Sequence, residues 1–127
     1  MTEQLRLTLI GCGNMGSALL AGWLNLDRIA HIAIVDPDPA LPAEADRDSR
    51  ITIYHDIATL ARHSDNSCDI CLLAVKPQIM DDVLQSFHDT GFRADMIISV
   101  AAGIASDTIR QKLGSSPAIV RVMPNTP

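Results

Sequence analysis

Residues 5–26, LRLTLIGCGNMGSALLAGWLNL, pass from an apolar strand through a glycine-rich turn into a helix with no spacer. Leu5, Leu7, Leu9 and Ile10 supply the strand, and Gly11, Gly13 and Gly16 fit G-x-G-x-x-G. Met15, Leu19, Gly22, Trp23 and Leu26 recur at helical spacing and predict one apolar stripe. Each glycine has a separate reason. Gly11 permits a tight turn out of the strand, Gly13 lets backbone approach a pyrophosphate, and Gly16 lets the helix pack closely on the sheet. Unpaired amides at the helix start favour an anion there. The motif alone is common; between a strand and a helix it points to a dinucleotide.

The second strand, residues 31–35, ends at Asp36, twenty positions after Gly16. That is where a dinucleotide-binding fold places the acid that reads the adenosine ribose. A carboxylate there accepts from the 2′-hydroxyl and repels a 2′-phosphate. Residues 36–39, DPDP, also have turn character, and the two readings are compatible. Residues 37–50 allow at most a short helix around 43–47. Arg47 and Arg50 could reach a 2′-phosphate but read as solvated.

Further strands are expected at residues 51–54, 68–75, 95–100 and 118–122. Helices are expected after the N-cap Asp56, after Pro77 with the stripe Ile79, Met80, Val83, Leu84 and Phe87, and from Ser106 to Leu113. Asp81 and Asp82 suit a helix start, and Gly91 a stop. This alternation predicts an α/β fold of Rossmann type: a doubly wound, mainly parallel six-stranded sheet with helices on both faces. Ligands of such sheets bind beyond the carboxyl ends of the strands. Gly11, Asp36, Asp56, Lys76, Pro77, Ala101, Gly103, Asn125 and Thr126 all follow strand ends.

At 127 residues the chain suits one domain. A net charge of −5 argues against a general nucleic-acid binder. No secretory pattern opens the chain, and its longest mainly apolar run, 96–105, is half of what a bilayer span needs, so a soluble cytoplasmic protein without a membrane partner is expected. Cys68 and Cys71 are spaced C-x-x-C but fall in a strand, where positions three apart face opposite ways; buried strand residues are expected, not a metal or redox pair. Cys12 sits at a helix N-terminus, which can lower a thiol pKa. The four histidines have no ligand spacing. No catalytic triad and no paired carboxylates for hydrolysis are readable, so the catalytic residues are unknown and no metal is expected.

Four stretches, IGCGNMGSALLAGWL, LLAVKPQ, ISVAAGI and RVMPNTP, together resemble pyrroline-5-carboxylate reductases, in the right order and at fitting intervals. The resemblance implies reduction of the C=N bond of 1-pyrroline-5-carboxylate with hydride from NADPH or NADH, in the last step of proline biosynthesis. It implies that Ile10, Gly11, Cys12, Gly13, Asn14, Met15 and Gly16 hold the pyrophosphate, and that Asp36 and Pro37 lie by the ribose. Asp56 stands where the family commonly has Asn near the cofactor. Ala74, Val75, Lys76 and Pro77, with Ala101, Ala102 and Gly103, would line the ribose and nicotinamide side. Asn125 and Thr126 would sit toward the substrate. Lys76 could meet the substrate carboxylate or the cofactor, or simply face solvent.

Two departures matter. NADPH-using members often carry small hydroxyl or basic residues where this chain has Asp36, which tilts the expectation to NADH. The family also continues into a helical C-terminal domain that forms a homo-oligomer and supplies most of the small-molecule substrate pocket. Residues 1–127 would then be the NAD(P)-binding domain only, binding dinucleotide with little or no reductase activity. Two other readings stand beside this one: a dinucleotide-binding module without catalysis, and the cofactor domain of a 3-hydroxyacid or 6-phosphogluconate type dehydrogenase.

Overall fold

A computed structural model describes residues 4–63, 66–100, 106–113 and 117–122. Its strands are β1 (Leu5–Ile10), β2 (Ile29–Val35), β3 (Ile51–Tyr54), β4 (Ser67–Leu73), β5 (Arg93–Ser99) and β6 (Ala118–Arg121). Its helices are α1 (Asn14–Trp23), α2 (Ile57–His63), α3 (Met80–Thr90) and α4 (Ser106–Leu113), with 3-10 turns at Ala43–Arg47 and Pro77–Ile79.

The six strands form one sheet in the order β3-β2-β1-β4-β5-β6, and every pairing is parallel. The doubly wound fold expected from the alternation is therefore present. β1 is central and the strand order reverses between β1 and β4, so the crevice for a ligand opens at their carboxyl ends. Both faces carry an apolar layer. One packs Ile57 and Leu60 of α2, Met80, Leu84 and Phe87 of α3 and Ile109 of α4 against Ile10, Val35, Leu73 and Ile97. The other packs Leu20 of α1 and Ala45 of the 3-10 turn against Leu7, Leu9, Ile32, Ile34 and Leu72. β-Strands covered on both faces need continuous apolar runs, which is what residues 70–75 offer.

Several expectations shift. The buried face of α1 is Gly16 and Leu20, while Gly22 and Leu26 are exposed and the helix ends at Trp23. The core stripe of α3 is Met80, Leu84 and Phe87, and Ile79 is exposed. β4 stops at Leu73, two residues before the expected end. Cys68 and Cys71 are both free and buried, but they join the same apolar cluster and do not face opposite ways. The strand is irregular there: the Asp69 carboxylate takes the Arg6 N–H at 2.8 Å, and the β1–β4 ladder starts only at Leu7 and Ile70. Burial raises the Cys68 thiol to about 11 and pushes that of Cys71 up as well.

Arg50 is not solvated. Its guanidinium donates to the Leu24 and Leu26 carbonyls, each at 2.8 Å, beyond the end of α1, and pairs with Asp48 at 2.6 Å. Those carbonyls are among the acceptors that a helix end leaves open. Hydrogen bonds from Arg50 bring the Asp48 carboxyl from 3.8 down to about 2. The folded protein thus releases this proton more readily than the unfolded chain. The resulting stabilisation is complete above pH 3.8 and is lost as the pH falls toward 2. Arg50→Met is expected to cost about 2 kcal/mol at neutral pH and to flatten this acid limb, read by urea unfolding at a series of pH values.

Candidate functional site

The glycine turn lies where β1 leaves the sheet. Gly11 has φ +88°, and a Cβ on it would stand 2.7 Å from the Ala74 carbonyl oxygen. Conformation and space both demand glycine there. A Cβ on Gly16 would run into the Gly11 carbonyl, so this helix position packs directly on the turn. Gly13 is different: a Cβ there would meet nothing within 4 Å. Gly13 is the N-cap of α1 and supplies no side-chain cap. The first helical bond is Ser17 N–H to the Gly13 carbonyl, at 2.8 Å. The amides of Asn14, Met15 and Gly16 thus have no partner among the described residues.

Two amides expected to contact a pyrophosphate are used inside the protein. Gly11 N–H donates to the Val35 carbonyl at 2.9 Å, and Cys12 N–H donates to Asp36 Oδ2 at 2.7 Å. Cys12 is fully buried, and its carbonyl accepts from Ala40 N–H at 2.7 Å. Burial first, and then the Asp36 charge, push its thiol above the ordinary value, the reverse of the lowering expected at a helix start. The backbone hydrogen bond at Ala40 acts the other way and is outweighed.

Asp36 is the hinge between turn and second strand. Its Oδ1 accepts from Asp38 N–H at 2.8 Å, so it also closes the local turn. Each carboxylate oxygen keeps a lone pair for a further donor. Pro37 follows, exposed. Asp56 at the tip of β3 caps α2: Thr59 donates to Oδ1 at 2.7 Å, and hydrogen bonding from Thr59 holds the Asp56 carboxyl below the usual range. At the exit of β4, Ala74 N–H donates to the Ile10 carbonyl at 2.9 Å, and Val75 flanks Gly11. Lys76 is exposed and precedes the 3-10 turn that Pro77 starts.

These tips enclose a cleft of about 360 Å³. Ile10, Gly11, Asp36, Pro37, Asp56 and Val75 line it, as the sequence reading grouped them; Cys12, Gly13, Asn14, Met15, Gly16, Ala74, Lys76 and Pro77 do not. Sequence reasoning missed His55 and one face of the 3-10 turn and α3: Ile79, Asp82, Val83 and Ser86. Their i, i+3, i+4, i+7 spacing is a helical stripe. The pattern alone does not reveal a cleft wall, because Asp82 suits a helix start while Ile79 and Val83 suit the core stripe. Ala101, Ala102, Gly103, Asn125 and Thr126 lie outside the described residues. Among the described residues no group of three or more His, Cys, Asp or Glu is placed to hold a metal, and no helix is long and apolar enough to cross a membrane.

A match to the family described as NADP oxidoreductase, coenzyme F420-dependent, spans residues 6–103. The chain belongs to this family. Within this oxidoreductase family setting, it is 32% identical over 131 residues to the pyrroline-5-carboxylate reductase of Escherichia coli K12, covering 98% of this chain and 45% of that protein. It is 35% identical over 123 residues to the Haemophilus influenzae enzyme of the same name, covering 95% and 43%. The chain thus spans less than half the length of these relatives. Among solved structures, glycerol-3-phosphate dehydrogenase from Saccharomyces cerevisiae matches 94% of the chain and 41% of its own at TM-score 0.68 and 14% identity. A Rex-family repressor matches 95% and 54% at TM-score 0.65 and 16% identity. Those two likenesses bear on the fold alone. Family and fold together make residues 6–103 a pyridine-nucleotide-binding oxidoreductase domain.

Proposed function

We propose that this chain is the cofactor-binding part of a pyrroline-5-carboxylate reductase, and that it holds NADH in preference to NADPH. Bound at the strand tips, the nicotinamide supplies the hydride that reduces a C=N bond. The chain's own residues bind and orient. The open amides of Asn14, Met15 and Gly16 meet the diphosphate, with the positive end of α1 behind them. Gly13, without a side chain, lets it approach. The Asp36 carboxylate accepts from the adenosine ribose hydroxyls.

The observation that carries this reading is the uncapped start of α1, with open space at Gly13 and a carboxylate hydrogen-bonded into the same turn. The fit rests on that geometry; the choice of substrate rests on the named relatives. The family's description names NADP, and Asp36 is the reason to read NADH here. Among the described residues that line the cleft, three are aspartates and none is lysine or arginine. A 2′-phosphate would bring roughly −1.5 to −2 charge against them.

In the same reading the protein is cytoplasmic, its partner is a small-molecule imine acid, and its full-length form is a homo-oligomer. Hydride transfer needs donor and acceptor carbon held close and aligned, and the strand tips described supply the donor side. The 127-residue chain is therefore expected to quench or enhance NADH fluorescence saturably and to give no turnover with pyrroline-5-carboxylate. A chain that leaves NADH fluorescence unchanged at millimolar nucleotide ends the proposal.

A further inference from the structure

Resting on the dinucleotide reading above, we propose that Asp82 and Ser86 of α3 recognise the exocyclic amine of the adenine, so that the cleft selects adenine over bases bearing a carbonyl at that position. The cleft walls are apolar: Ile10, Ile57, Val75, Ile79 and Val83 all face it. Ile79 remains 47% exposed at its rim. A flat aromatic base would cover that surface, gaining from its removal from water. The polar groups on these walls then decide which base.

Of the cleft's three carboxylates, two are already engaged. Asp36 takes the N–H groups of Cys12 and Asp38, and Asp56 takes that of Thr59. The Asp82 carboxylate has no hydrogen-bond or ion-pair partner among the described residues. The Ser86 hydroxyl donates its proton to the Asp82 carbonyl at 3.0 Å, so toward the cleft its oxygen has only lone pairs to offer. Two acceptors therefore stand one helical turn apart, about 5–6 Å. One nitrogen bonded to both at about 2.9 Å each spans that distance. An exocyclic amine has two N–H donors and nothing to accept with, which suits this pair. A carbonyl oxygen in its place would face a carboxylate with no proton between them. Asp82 also favours the helix start through the dipole, but Asp81 sits in the same first turn and does not line the cleft.

The test compares NADH with reduced nicotinamide hypoxanthine dinucleotide by fluorescence titration of the 127-residue chain. Wild type is expected to bind NADH at least about tenfold more tightly, the worth of one charged hydrogen bond. Asp82→Ala should weaken NADH and bring the two nucleotides within about threefold, Ser86→Ala should reduce the preference in part, and Asp81→Ala should leave it intact. Far-UV circular dichroism checks that each variant is folded. Equal binding of the two nucleotides by wild type, or a full preference retained in Asp82→Ala, would overturn the assignment. If wild type binds neither nucleotide, the dinucleotide reading itself fails and this assignment with it; NADH binding without discrimination sinks only the assignment.

Discussion

Gly13→Ala is expected to leave the protein folded and to cost it most of its dinucleotide affinity, whereas Gly11→Ala is expected to damage the fold itself. The two glycines are two residues apart in one motif, and their surroundings differ completely. A Cβ on Gly13 enters open space and meets no protein atom within 4 Å. Its φ of −84° is ordinary for any L-residue. Thermal stability should therefore change little. The added methyl would stand in front of the open amides of α1, where a diphosphate has to come close. Crowding of that kind costs about 1–3 kcal/mol, a tenfold to hundredfold loss in affinity. Gly11 offers no such freedom. Its φ of +88° is strained for alanine, and the Ala74 carbonyl 2.7 Å from the new Cβ is backbone of the neighbouring strand exit. Strain and overpacking together amount to about 3 kcal/mol or more, a large part of a domain's ~5–15 kcal/mol. The melting temperature should drop by roughly 10 °C. A Gly13→Ala protein with unchanged NADH affinity would remove the diphosphate from this turn. A Gly11→Ala protein as stable as wild type would contradict the observed turn geometry.

What the sequence told in advance follows from how local each feature is. The tight turn at Gly11, the Asp56 cap and the Gly91 stop (φ +72°) are each decided within a few residues, and as local structure all three stand as read. So does the parallel sheet, because alternating apolar strands and helices admit few arrangements. What was misread depends on contacts distant in sequence. The α1 stripe was drawn from hydrophobicity alone, and it missed that Gly16 is buried because the helix sits on the Gly11 carbonyl. Arg50 looked like a surface charge because its partners, the carbonyls of Leu24 and Leu26, lie more than twenty positions earlier. The C-x-x-C pair was judged by ideal strand alternation, which fails where Asp69 replaces a ladder partner for Arg6. On the site, residues at strand tips were legible and the α3 wall was not. A polar helix face lining a cleft has the same pattern as one facing water until the neighbouring tips are in place.

Asp36→Asn is expected to reverse the nucleotide preference at a modest cost in stability, about 1 kcal/mol for the lost Asp38 N–H bond. The carboxylate has two tasks, and the substitution separates them. One oxygen accepts the Cys12 N–H at 2.7 Å and holds the glycine turn against the end of β2. An asparagine carbonyl oxygen can take the same N–H, so this link survives, but the amide nitrogen cannot accept from Asp38 N–H, and that exposed turn bond is lost at about 1 kcal/mol. Asp36→Ala would instead leave the amide of buried Cys12 unsatisfied, at about 1–3 kcal/mol, and would confuse stability with selectivity. The second task depends on charge. Hydrogen bonds to a charged group contribute about 1.5–3 kcal/mol against about 0.5–1.5 for neutral pairs, so NADH should bind about tenfold more weakly to the asparagine variant. NADPH should bind more tightly, because a repulsion between the carboxylate and the 2′-phosphate is gone. The ratio of the two affinities is then expected to move by about a hundredfold, the sum of both changes. Asp56 and Asp82 remain at the cleft, so the variant should still bind NADPH only moderately. Raising the ionic strength should narrow the wild-type preference, since charges at an open cleft are screened over about 10 Å at 0.1 M salt. A wild-type chain that prefers NADPH, or an asparagine variant with the wild-type ratio, would mean that Asp36 serves the turn alone and that the ribose is read elsewhere.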